Sequence, residues 1–136
     1  MIRSRRVTAL VYFFLLSGCA TAPQSLCPSG EEGSVNELLY FGTAKPNGVV
    51  TSAEWDEFLR TSITPRFPKG FTFWQATGQW QNSGRSITRE TSFVLSLVHA
   101  DDDQSENAVR SITREYKLRF NQEAVLRVKG YACVSF

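Results

Sequence analysis

Few residues in this 136-residue chain are of a type that does chemistry: one histidine, His99, three cysteines, and one run of three aspartates, Asp101-Asp102-Asp103. A Ser/His/Asp or Cys/His nucleophilic arrangement would have to use His99, which falls at a predicted strand end with no nucleophile beside it. It reads as a surface residue near a helix start. The aspartate run has the charge to attract a hard cation. It lacks the Asx-Gly spacing and the later glutamate of a calcium loop, so it reads as a solvated turn complementing a helix dipole. There is no CxxC or HxxxH spacing for zinc, and no Walker A or GxGxxG segment to cradle a phosphate. No metal site and no cofactor are expected.

The cysteines are more informative. Arg3, Arg5 and Arg6 form a cationic start, Val7 to Leu16 a ten-residue mostly apolar run, and Leu16-Ser17-Gly18-Cys19 follows directly. Ten residues are too few to span a bilayer, where about 18 to 20 are needed. The pattern is that of a secretory signal, residues 1–18, ending in what resembles the bacterial lipobox, in which the cysteine thiol is alkylated with diacylglyceryl and the preceding peptide is removed. Cys19 is therefore the expected lipidation site, and an ordinary signal cut after Ala20 or Ala22 is the alternative. If Cys19 carries lipid, Cys27 and Cys133 remain as an even pair in an oxidising compartment and are predicted to form a disulfide. Ala20 stands where aspartate would retain such a lipoprotein at the inner membrane, so the periplasmic face of an outer membrane is the expected location, with the membrane as a partner through the lipid alone.

Composition fits this reading. The whole chain carries 15 basic and 13 acidic residues; removing residues 1–18 takes away three arginines and leaves 12 against 13, a net charge of −1. So small a charge, with scattered basic residues, argues against DNA or RNA as a partner. The whole chain is 42% apolar, and what remains after residues 1–18 can bury one core and no second.

The elements that position these residues follow from pattern. Residues 19–34, broken by Pro23, Pro28, Gly30 and Gly33, read as a flexible tether, leaving 35–136 as a single domain. Asn36 to Thr43 is a predicted strand, followed by a turn at Lys45-Pro46-Asn47-Gly48. Thr51 and Glu54 have capping-box spacing, and the helix they open must stop before Pro65. Phe71 to Trp80 and Ser86 to His99 form two strands joined by Gln81 to Arg85, with Gly78 suggesting a bulge. Asp103 and Glu106, at box spacing, open a second helix with Val109, Ile112, Tyr116 and Phe120 on its buried face. A last strand runs from Ala124 to about Val134.

The order is βαββαβ, an α+β class fold: the ferredoxin-like arrangement of a four-stranded antiparallel sheet with two helices on one face. The first and third strands should be central. Both carry consecutive apolar residues, Leu38 to Phe41 and Phe93 to Leu95, so both sheet faces ask for cover, while two helices can cover only one. A second copy of the chain, packed on the open face as a homodimer, is the expected partner. Trp74, Trp80 and Phe93 could mimic an RNA-binding surface, but the RRM signature is absent.

Leu39-Tyr40-Phe41-Gly42, Thr64-Pro65-Arg66-Phe67-Pro68, Gly78-Gln79-Trp80, the stretch Phe120 to Val128, and Cys133-Val134-Ser135-Phe136 together resemble a family of small bacterial exported proteins known as domain of unknown function 3574. The resemblance covers about residues 36 to 136. It implies an exported protein or lipoprotein and brings no catalytic residues; the Ala124 position is more often serine there. The polar residues within or near these motifs become the candidate binding residues: Tyr40, Arg66, Gln79, Trp80, Glu90, Arg119, Gln122, Glu123 and Arg127. A carboxylate with several arginines could hold an anionic small molecule or do acid/base work. The structural alternative is that Arg66 clamps a carbonyl of the two-proline connector and Glu90 pairs with Arg127 across strands. The functional expectation is a non-catalytic envelope module that binds or interacts, with a small dimeric enzyme or metabolite-binding protein using the open sheet face as the alternative. The ligand stays unknown. A concave pocket with convergent side chains would favour the alternative, and a flat apolar patch the interaction module.

Overall fold

The computed structural model describes residues 27–81 and 83–136. The expected signal, Cys19 and the first part of the expected tether lie outside the described residues, as does Asn82 in the hairpin loop. The chain forms β1 (Glu32–Gly42), a short hairpin β2 (Ala44–Lys45) and β3 (Gly48–Val49), α1 (Ser52–Phe58) continued by a π-helical turn (Leu59–Ile63), β4 (Thr72–Gln81), β5 (Ile87–His99), α2 (Asp103–Phe120) and β6 (Leu126–Val134). The main sheet is antiparallel with order β4-β5-β1-β6, so β1 and β5 are central as expected.

Alternation along the strands fixes what each face does. Leu39 and Phe41 of β1 and Phe93, Leu95 and Leu97 of β5 point to one side and form a single core with Trp55 and Phe58 of α1 and Val109, Ile112, Tyr116 and Phe120 of α2. Both helices therefore cover the same face. Aromatic packing dominates: Trp55 stacks on Phe93 at 4.5 Å between centroids, and Phe41 meets Tyr116 edge-on at 4.6 Å. The capping box holds α1 in register, with the Thr51 hydroxyl accepting from the Glu54 N–H while the Glu54 carboxylate accepts from the Thr51 N–H at 2.8 Å.

Four details differ from the sequence reading. β1 begins at Glu32, because residues 32–34 pair with Val134 to Ala132 of β6 and Cys27 is bonded to Cys133, so the ordered domain extends upstream of Val35. That predicted bridge spans 106 residues of sequence, a closure worth up to roughly 4 to 5 kcal/mol in the chain-entropy picture. Gly78 makes no bulge: β4 and β5 pair without interruption from Thr72↔Ser96 to Gln81↔Ile87. The N-cap of α2 is Asp102, whose carboxylate accepts from the Ser105 N–H at 2.7 Å, rather than Asp103. β6 begins at Leu126, two residues after Ala124.

Glu106 is thereby released from capping and joins a charge network at the helix–sheet boundary. Glu37, fully buried on the helix side of β1, accepts two hydrogen bonds from Arg127 of β6, one of them from Nε at 2.7 Å, and Arg127 also donates twice to Glu106, at 2.8 and 2.6 Å. His99 is not the surface residue expected. Its side chain is 5% exposed, with Nε2 3.4 Å from Glu37 Oε1 and Nδ1 2.7 Å from the Ala100 carbonyl oxygen.

Candidate functional site

The face of the sheet turned away from the helices hollows at the end where β1 and β4 finish and β5 and β6 begin. A cavity of about 290 Å³ opens there, walled by Tyr40, Trp80 and Leu126, with Glu90 and Ser92 of β5, Gly42 and Gly78 of the neighbouring strands, and the turn Asn121 to Ala124 around it. Register explains the grouping: Tyr40 lies opposite Leu126, Gly42 opposite Ser92, and Gly78 opposite Glu90. The turn is placed by the end of α2, where Asn121 takes the left-handed conformation (φ 51°) that asparagine tolerates well, which carries Gln122 back towards β2.

Two side chains meet over the bare Cα of Gly42. Glu90 Oε2 accepts from the Ala44 N–H at 2.8 Å. Gln122 Nε2 donates to the carbonyl oxygens of Ala44, at 2.5 Å, and Phe120, at 3.2 Å. Both partners are acceptors, so the amide nitrogen must face them and the amide oxygen must face Gly42. A methyl group on Gly42 would stand 2.7 Å from Glu90 Oε1 and 3.2 Å from Gln122 Oε1, so glycine is what allows these two oxygens to approach the strand. From the core side the Tyr116 hydroxyl donates to the Gly42 carbonyl at 2.9 Å, and burial pushes that phenol well above its ordinary value of 10.0, with the Glu90 charge adding to the shift.

Tyr40, Gln79, Trp80, Glu90, Gln122 and Glu123, six of the nine sequence candidates, border the cavity. Gln79 does so without turning its side chain in: it lies opposite Arg89 and accepts from Arg89 Nε at 3.4 Å. The three arginines are elsewhere. Arg66 donates to the Ser62 carbonyl at 2.6 Å and pairs with Glu115, a structural role, though the carbonyl it holds belongs to the π-helical turn before the two-proline connector and not to the connector itself. Arg119 lies over the Phe120 ring, 5.4 Å from its centroid. Arg127 does not pair with Glu90, because alternation puts residues 90 and 127 on opposite faces of the sheet; it pairs with Glu37 and Glu106. A carboxylate flanked by arginines is thus found at Glu106, between Arg110 and Arg127, and not in the cavity, whose chemistry is carboxylate, amide and aromatic. Glu37, and the hydrogen bond that the buried Tyr116 makes to Gly42, are what the sequence reading missed. Glu37 was findable, since it shares its parity with the inward Leu39 and Phe41.

A second hollow of about 590 Å³ lies between the connector 65–70 and the start of α2. Arg66 is engaged with Glu115, Asp102 with the Ser105 amide and His99 Nδ1 with the Ala100 carbonyl, while His99 Nε2, buried 3.4 Å from Glu37 Oε1, makes no hydrogen bond among the described residues. Among the described residues no cluster of His, Cys, Asp and Glu could hold a metal ion, and no helix is long and apolar enough to cross a membrane.

Three comparisons bear on this arrangement. The family described as "Protein of unknown function (DUF3574)" matches residues 36–136. No curated protein matches the chain. Among solved structures, a phage SAM lyase in complex with S-methyl-5'-thioadenosine is similar at 12% identity with a TM-score of 0.59, over 82% of this chain and 97% of that one. CutA from Synechococcus elongatus PCC7942 complexed with Bis-Tris is similar at 12% identity with a TM-score of 0.50, over 77% of this chain and 87% of that one. At such identities the likeness is one of fold, and it agrees with the ferredoxin-like reading of the βαββαβ order.

Proposed function

The chain belongs to the DUF3574 family, and from that premise we propose that it is a non-catalytic module of the bacterial envelope, lipid-tethered at Cys19, that takes a small molecule into the cavity of its open sheet face. One observation carries the binding part: Tyr40, Trp80, Glu90 and Gln122, drawn from four separate segments, converge on one concave site. That favours small-molecule binding over a purely flat interaction patch. The non-catalytic part rests on what stands beside Glu90. The chain's one histidine is nine residues further along β5 and turned to the helix side, so no imidazole stands in the cavity to share a proton with Glu90 or to activate the Ser92 hydroxyl. The phage lyase of similar fold is in complex with S-methyl-5'-thioadenosine, which supports a small molecule being compatible with this architecture.

Export and anchoring are supported by the signal and lipobox pattern and by the Cys27–Cys133 bridge, which belongs in an oxidising compartment. An outer-membrane, periplasm-facing position follows from Ala20 after the lipidated cysteine. Self-association is part of the proposal. Between Glu32 at one end and Glu90 at the other, the open-face positions of the four strands carry no charge, and Trp74, Val98, Leu126 and Val128 there are each 43–51% exposed. An uncharged surface can meet its own copy about a two-fold axis without like-charge repulsion.

A thermal-shift screen of small organic compounds, run in parallel on the wild type and Trp80→Ala, tests the binding reading. Compounds that raise the wild-type midpoint and leave the variant unmoved support it, and compounds that raise both equally contradict it. Mass spectrometry of membrane-extracted protein tests the anchor, and an unmodified Cys19 removes it. Sedimentation at micromolar concentration tests the dimer, which a monomeric species would refute.

A further inference from the structure

We infer that the cavity takes a small organic cation bearing N–H donors, a primary ammonium or a guanidinium, which bridges Glu90 Oε1 and Gln122 Oε1 against the Trp80 ring; this rests on the reading of the cavity as a small-molecule site. The Ala44 N–H occupies Glu90 Oε2 and two carbonyls occupy the Gln122 amide nitrogen. The atoms that remain, Glu90 Oε1 and Gln122 Oε1, are both acceptors, and both lie close above the Gly42 Cα. Two acceptors brought together favour a group that donates to both, and an ionised acceptor makes a positively charged donor the strongest match.

Charge points the same way. Glu90 and Glu123 border the cavity and no lysine, arginine or histidine does, and among the described residues neither carboxylate has an ion-pair partner. The nearby lysine, Lys45, is committed to Glu54 at 2.6 Å and lies over the Phe120 ring. An anion would meet uncompensated negative charge here. The aromatic lining completes the match: Trp80, 43% exposed, and Tyr40 both border the cavity, and ring faces attract a cation that comes within about 6 Å. A volume of about 290 Å³ admits a molecule of a few carbon atoms with one or two charged ends and excludes a folded partner.

The test is a calorimetric titration of the full chain, disulfide intact, with putrescine and agmatine as cationic probes, 1,4-butanediol as a neutral molecule of similar span and succinate as an anionic one. Binding is located by the shift of the Trp80 indole N–H resonance. The two cations are expected to bind, and to bind at least about tenfold more weakly to Glu90→Gln, which keeps the oxygen facing Ala44 while removing the charge. Binding of 1,4-butanediol or succinate at Trp80 as tightly as the cations overturns the cationic class and leaves the small-molecule site standing. No movement of the Trp80 resonance with any probe overturns both. Equal affinity of the cations for wild type and Glu90→Gln also overturns the inference, as attraction without recognition. Should Glu90→Gln fail to fold, Gln122→Met serves the same comparison, because it removes the second acceptor without touching the carboxylate.

Discussion

The Tyr116 hydroxyl donates to the Gly42 carbonyl at 2.9 Å, across 74 residues of sequence, tying the buried face of α2 to the end of β1 directly behind the cavity. The ring is fully buried among Phe41, Phe58 and Phe120, so Tyr116→Phe keeps the packing and strands one carbonyl. A loss of about 1 to 3 kcal/mol in urea unfolding is expected. The phenol is held neutral in the fold above its unfolded value of 10.0, so its contribution is complete below about pH 10 and is lost as pH rises further. Wild type should therefore lose stability above pH 10 more steeply than Tyr116→Phe.

Gly42→Ala separates the site from the fold. The added methyl meets only the ends of two flexible side chains, Glu90 and Gln122, which can swing away. Stability should change by less than about 1 kcal/mol, within the range of mild substitutions, while binding of any cavity ligand falls by at least about tenfold. Parallel chemical denaturation and titration of this variant check both halves.

Arg127→Met leaves the buried Glu37 carboxylate without its main partner. A cost of about 3 to 5 kcal/mol is expected, and the double variant Glu37→Leu with Arg127→Met should recover most of it, since an apolar pair removes the stranded charge. Cavity binding in the double variant should equal that of wild type, because the network lies on the other face of the sheet.

Acid should weaken the fold in a defined window. The Arg127 guanidinium beside Glu106 holds its carboxyl well below the ordinary 4.5, with Arg110 and Lys129 adding to the effect. Lys45 and the Thr51 amide lower Glu54 to about 2. Both groups bind fewer protons folded than unfolded below pH 4.5, so their contribution is complete above that pH and is lost as pH falls towards 2. The urea midpoint should be level from pH 7 to 5 and drop below 4.5, and Lys45→Met should make that drop shallower.

Much of this architecture was legible in the sequence because local signals carried it. Thr51 and Glu54 marked a helix start, Pro65 bounded its end, and the consecutive apolar residues Phe93 to Leu95 in the third strand of a βαββαβ order marked a central strand. The misplaced details come from competition between neighbours of equal competence. Any of Asp101, Asp102 and Asp103 could cap α2; the cap falls on Asp102, and Glu106 pairs with Arg127, a tertiary contact that local spacing does not show. Gly78 looked like a bulge because a strand glycine often marks one, whereas here it stands opposite Glu90 in an unbroken ladder. Cys27 and Cys133 were pairable by counting once Cys19 was set aside as the expected lipidation site. The Arg127–Glu37 pair, 90 residues apart, was not, because it depends on which strand lies beside β1.

The most direct test of the cavity as the binding site is a ¹H–¹⁵N correlation spectrum of the labelled, disulfide-bonded chain titrated with a mixed set of small organic fragments. The account predicts saturable shifts confined to Tyr40, Gly42, Gly78, Trp80, Glu90 and Gln122. Shifts centred instead on the connector 65–70 and His99, or none at saturating fragment, would contradict it.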